Sequence, residues 1–233
     1  MTSHISQIIK QEQLFPILHF QKQQLHFFAE NIVTMANDVK SLLKLGCQIM
    51  EKPEDYANTG SKLSRETRTK IAQLEDINEE SIIKLLATQR PLETDFRLLV
   101  ISLKINNDIH RMSNQAGNIV DGFLRLRQLP SEDFKASYYK MIEAVNTMIN
   151  DTMSAYTNID KTLAEKVMKR DDKVDSLNLS LIRQLIELAE QYPEEADACI
   201  KQVLIIRNLE RIGDFCNNIA DQVVSYSKGC MIS

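Results

Sequence analysis

Tryptophan is absent from this 233-residue chain, and glycine and proline are scarce, at 6 and 5. So few turn-forming residues argue against an all-β or loop-rich fold, whose hairpins and corners need them. Cysteine occurs four times, at Cys47, Cys199, Cys216 and Cys230, and never as a CxxC pair. That scatter lacks the usual spacing of a zinc site and reads as reduced thiols in a cytoplasmic protein. Long hydrophobic runs are missing as well. Leu98-Leu99-Val100-Ile101 is typical of those present, far short of the ~20 residues that cross a bilayer. The first ten residues have no basic stretch followed by a long apolar core, so no signal peptide is expected. A surplus of positive charge is also lacking. The formal charge of −4 argues against nucleic-acid binding as the main task, because phosphate neutralisation needs a basic face.

What is present is helical periodicity. Segment 19–50 carries Phe20, Phe27, Ile32, Met35, Val39, Leu42 and Leu43 and ends near Pro53. Segment 62–89 stops before Arg90-Pro91, since the residue before proline disfavours helix. Segment 93–127 follows, with Thr94 or Asp95 placed to cap it and Leu98, Ile101, Ile105, Ile109 and Met112 in steps of three and four. Ser131 opens segment 132–158, and segments 160–191 and 194–227 meet at Pro193. Six long helices with short links favour antiparallel neighbours. Methionines such as Met35, Met112 and Met148 read as core filler.

The chain also repeats itself at an offset of 100. Ile105/Ile205, Arg111/Arg211, Asn118/Asn218, Ile119/Ile219 and Asp121/Asp221 are identical pairs in an ungapped alignment. That period is far longer than a solenoid unit and points to two copies of one subdomain. The expected fold is all-α, two pseudo-repeated antiparallel three-helix bundles. Residues 1–18 would form an N-terminal arm, 19–129 the first repeat and 130–233 the second.

The repeats differ where chemistry would occur. Glu210 and Asp214 stand at i and i+4, roughly 5–6 Å apart at Cβ on one helix face. Asp171 and Asp175 form a second such pair on the preceding helix. If the two helices pack antiparallel, four carboxylates face one another, a set that suits Mg²⁺, Mn²⁺ or iron. Stacked like charges need a counter-ion. The plainer reading is a solvated face paired with Arg170, Lys173, Arg207 and Arg211. In the first repeat the matching residues are Leu74, Asn78, His110 and Asn114, which supply no charge comparable to the four carboxylates. At most one good metal site is therefore expected, in the second repeat, with His110 a half-buried polar residue. No Glu-x-x-His pair, phosphate loop, GxSxG elbow or HExxH occurs, which disfavours a carboxylate-bundle metalloenzyme.

Arg90-Pro91-Leu92-Glu93-Thr94-Asp95-Phe96-Arg97-Leu98, then Leu103-Lys104-Ile105-Asn106-Asn107-Asp108, together with Asn208-Leu209-Glu210-Arg211-Ile212-Gly213-Asp214 and Asn218-Ile219-Ala220-Asp221, resemble the PhoU family, as does Asp171-x-x-x-Asp175. The resemblance covers most of residues 20–228. It implies a non-enzymatic, cytoplasmic, commonly dimeric regulator that represses the phosphate-starvation response. Such a protein bridges the ATPase subunit of a phosphate transporter and a phosphate-sensing histidine kinase, reaching the membrane only through these partners. It further implies a metal site on Asp171, Asp175, Glu210 and Asp214. Two departures stand out: the first-repeat motif has become His110-Arg111-Met112-Ser113-Asn114, and Phe215 stands where the family usually has His. A metal-binding bundle for metal or phosphate homeostasis, or an accessory of a different phosphate carrier, is the alternative.

Overall fold

The computed structural model describes residues 22–91, 93–126 and 131–229. They form helices α1 (Lys22–Glu51), α2 (Pro53–Tyr56), α3 (Gly60–Gln89), α4 (Glu93–Arg125), α5 (Glu132–Asn158), α6 (Lys161–Gln191) and α7 (Ala196–Ser227). A 3₁₀ turn, Pro193–Glu195, leads into α7. The described residues contain no strand, in keeping with the all-α expectation. The expected N-terminal arm, 1–18, lies outside the described residues. No described helix is long and apolar enough to cross a membrane.

Local chemistry accounts for most of the helix ends. Ser131 caps α5, its hydroxyl accepting from the Phe134 amide at 3.5 Å. At the other end Ile159 takes the left-handed conformation (φ 50°), and the Asp160 amide reaches back to the Ala155 carbonyl at 2.9 Å. Asp160 then starts α6, its Oδ1 accepting from the Leu163 amide at 3.0 Å. One short turn thus closes α5, opens α6 and folds the two back to back. Arg90, also left-handed (φ 47°), ends α3 ahead of Pro91. Thr94 and Asp95 differ from expectation: α4 already begins at Glu93, so both sit inside its first turn. The nearby Arg97 reaches instead to the far end of α7, donating to the Gly229 and Tyr226 carbonyls at 3.0 and 3.4 Å. It thereby satisfies oxygens that helix geometry leaves open. Pro53 opens the four-residue α2 directly after α1.

Helices α1, α3 and α4 pack on one another, and so do α5, α6 and α7. The two sets join through α4 against α7 and, less extensively, α1 against α5, leaving α3 and α6 outermost. Both α4 and α7 are therefore buried along much of their length, through Ile101, Ile105, Ile109 and Ile119 on one and Ile205, Leu209, Ile212 and Ile219 on the other. Burying such side chains contributes roughly 1.5–3 kcal/mol each before chain entropy is set against it. Gly122 is what lets the two backbones come close: a Cβ there would lie 2.6 Å from Ile205 Cγ1. Polar contacts fix the register of the join. Gln222 donates to Asp108 at 3.2 Å, and the Arg111 guanidinium lies 4.7 Å from the centre of the Phe215 ring. Phe215 thus has a role between the repeats.

Candidate metal centre

The two acidic pairs lie on α6 and α7, helices that pack closely on each other. Asp171 is the deepest, at 9% exposure, with Glu210 half-buried and Asp175 and Asp214 exposed. Gly213 makes room for it, since a Cβ there would lie 3.3 Å from Asp171 Oδ1. Asn217 Nδ2 donates to Asp171 Oδ2 at 2.8 Å, whereas Oδ1 is buried with no hydrogen-bond partner. An unpartnered buried carboxylate oxygen is costly and leaves a lone pair open to a cation.

Electrostatics ties the four groups into one field. Burial, then the charges of Asp175 and Asp214, push the Asp171 carboxyl up to about 6, against the Asn217 hydrogen bond. Glu210 is raised by burial and by Asp214 and Asp175, although Arg207 and Arg211 oppose the shift. Asp214 is raised by burial and by Asp175, with the same two arginines opposing. The pairing partners of the plainer sequence reading are only partly engaged. Arg207 Nη1 is 3.9 Å from Glu210 Oε1, and Arg170 is bound to Asp151 on α5. The cluster therefore carries more negative charge than its neighbours neutralise. Its oxygens are hard donors, suited to Mg²⁺, Mn²⁺ or carboxylate-bridged iron. As they stand, no three His, Cys, Asp or Glu side chains among the described residues converge on one cation position. The donor set fits a cation in charge and chemistry.

The first repeat has a different interior. His110 Nδ1 is paired with Glu75 Oε2, and Asn107 donates to Glu75 Oε1 at 3.3 Å. Burial raises the Glu75 carboxyl, while His110 and Asn107 pull it down. Asn78, fully buried, accepts from Asn31 at 2.8 Å and donates to Asn106 Oδ1 at 2.9 Å; Asn106 in turn donates to the Glu75 carbonyl at 3.0 Å. Neutral amides and an imidazole–carboxylate pair stand where the second repeat has stacked carboxylates. Asn114 is exposed and outside this network. Glu75 was not singled out by the sequence. The signal was present, because His110 and Glu75 are both polar residues on helices that an antiparallel bundle brings together. Their pairing depends on a helix register that the 100-residue repeat does not supply.

Comparison with known proteins agrees with this architecture. The PhoU domain family model matches residues 32–122 and again 138–223. A protein of Xylella fastidiosa named "Phosphate-specific transport system accessory protein PhoU homolog" is 25% identical over 215 residues, covering 92% of this chain and 89% of its own length. A Caulobacter vibrioides protein of the same name is 32% identical over 144 residues, 61% of this chain and 63% of its own. The crystal structure of PhoU from Pseudomonas aeruginosa superposes with a TM-score of 0.80 at 23% identity, covering 89% of this chain and 98% of that one. The phosphate transport system regulatory protein PhoU from Streptococcus pneumoniae gives 0.76 at 19%, covering 91% and 98%. With the family model matched in both halves, over an all-helical fold shared with solved members, this chain belongs to the PhoU family.

Proposed function

We propose that the protein is a cytoplasmic, non-enzymatic accessory of phosphate transport that restrains phosphate uptake and represses the phosphate-starvation response. In this reading it acts as an adaptor with two faces, one for the ATPase subunit of a phosphate transporter and one for a phosphate-sensing histidine kinase, and it works as a homodimer. The observation that carries the proposal is the family match in both repeats, with relatives named as accessory proteins of the phosphate-specific transport system.

The same proposal places one divalent or iron-type cation in the second repeat, held by Asp171, Asp175, Glu210 and Asp214. Bound there, the cation would neutralise the carboxylates and lock α6 to α7. Asn217 orients Asp171 through its 2.8 Å hydrogen bond. Deleting the gene tests the regulatory reading. In phosphate-rich medium the deletion strain should show constitutive alkaline phosphatase output and unrestrained phosphate uptake. Unchanged output and uptake in that medium would count against it.

A further inference from the structure

A cleft of about 590 Å³ runs along the join between α4 and α7, beside the acidic centre. Its volume is that of a small-molecule site. Gly122 and Ile205 are at the place where the helices come closest, and four cations line the cleft: Arg125 from α4, and Lys201, Arg207 and Arg211 from α7. Asn118 and Asn208 add amides, linked to each other at 3.5 Å. Asp121 is the single acid in the lining. On a chain whose formal charge is −4, this is a local reversal of sign.

The cations are not all consumed internally. Lys201 is held by Asp197 at 2.6 Å, and Arg207 has only a long contact to Glu210 at 3.9 Å. Neither Arg125 nor Arg211 forms an ion pair within 4.0 Å of a described residue, although Arg211 also acts at longer range on Glu210 and Asp214. A groove that gathers such guanidinium groups, with low-dielectric walls on either side, focuses a positive potential. Guanidinium forks match phosphate oxygens in planar, two-bond geometry. Lys201 and Arg211 are ten residues apart on α7, which places them ~15 Å apart along the helix. Four cations against one acid exceed the charge of a lone phosphate and match that of a chain of phosphates. Leu204, 59% exposed, provides an apolar patch in the same lining.

We propose that the α4/α7 cleft binds a linear polyphosphate anion, the chemistry shared by nucleoside triphosphates and inorganic tripolyphosphate. The site lies across the join of the two repeats, so its occupant would bridge them.

Calorimetric titration of the full chain, in chelator to keep the acidic centre free of metal, tests this with ATP and tripolyphosphate as probes. Both should bind in the micromolar range at low salt, and Arg125→Ala with Lys201→Ala should weaken both by about tenfold or more. Asp121→Asn should tighten binding, a gain that damage to the fold does not produce. Lys62→Ala with Arg65→Ala, on the exposed face of α3, should change nothing. A nucleotide as the physiological occupant predicts that ATP binds more tightly than tripolyphosphate and loses that advantage in Leu204→Ala. Equal affinities, indifferent to Leu204, assign the site to the polyphosphate chain alone. No binding of either probe at about 1 mM, or equal weakening by the cleft and α3 variants, would overturn the proposal.

Discussion

Glu210→Ala combined with Asp214→Ala is expected to abolish Mn²⁺ or iron binding under conditions in which the native chain takes up metal. His110→Ala should leave uptake intact. The asymmetry follows from charge: α6 and α7 present four carboxylates, whereas the α3/α4 interior presents amides and one imidazole–carboxylate pair. Metal content of the purified, reconstituted proteins reads the result directly. Equal metal in the native and doubly substituted chains would remove the assignment, and loss in His110→Ala would remove the asymmetry.

The same site predicts a pH dependence for the metal-free protein. Asp171 is pushed up to about 6 in the native state, above the ordinary carboxylate value near 4 in the unfolded chain. The native state thus holds this proton more tightly, and its contribution to stability is greatest below about pH 4. That contribution falls as the pH rises through about 6. With screening on the open side of the site, the loss is about 1–2 kcal/mol. Asp171→Asn keeps an acceptor for Asn217 and removes the charge. It should flatten this dependence and raise the urea midpoint at neutral pH in chelator, while weakening metal uptake. A substituted protein less stable than the native one at neutral pH would mean that charge repulsion is not what governs the cluster.

Asn78→Ala is expected to be among the most damaging single substitutions in the first repeat, at about 2–4 kcal/mol. Asn78 joins three helices, accepting from Asn31 on α1 and donating to Asn106 on α4, in surroundings where Asn106 is only 2% exposed. Truncation leaves Asn106 Oδ1 without its donor and opens a cavity. Asn78→Leu with Asn106→Leu removes both buried partners at once and should recover part of the loss. Urea unfolding of the two variants measures the difference. A cost for Asn78→Ala below about 0.5 kcal/mol would show that the amide ladder is incidental to stability.

Helix content and most boundaries were legible because they depend on local signals. Pro91, Pro193, Ser131 and the spacing of Ile101, Ile105 and Ile109 speak for themselves at short range. The i, i+4 carboxylate pairs were legible for the same reason. What was hidden depends on how helices meet. Arg97 holds the end of α7 from 132 residues away in sequence, measured to Gly229, and nothing local to either announces it. Glu75, not Leu74, faces His110, because the α3/α4 register is set by packing that the repeat offset does not encode. Asn78 looked like an eroded ligand and is instead a core hydrogen-bonding hub. The cleft cations were visible as Arg207 and Arg211, yet their grouping with Arg125 required the close approach at Gly122.

Association with the transporter tests the central claim most directly. The purified full chain would be mixed with the ATPase subunit of the phosphate transporter of the same organism, and separately with the cytoplasmic part of its phosphate-sensing kinase, and each mixture followed by calorimetry. The adaptor reading predicts a saturable complex with each protein, with dissociation constants in the micromolar range or below. Absence of binding to both at about 100 μM would contradict it.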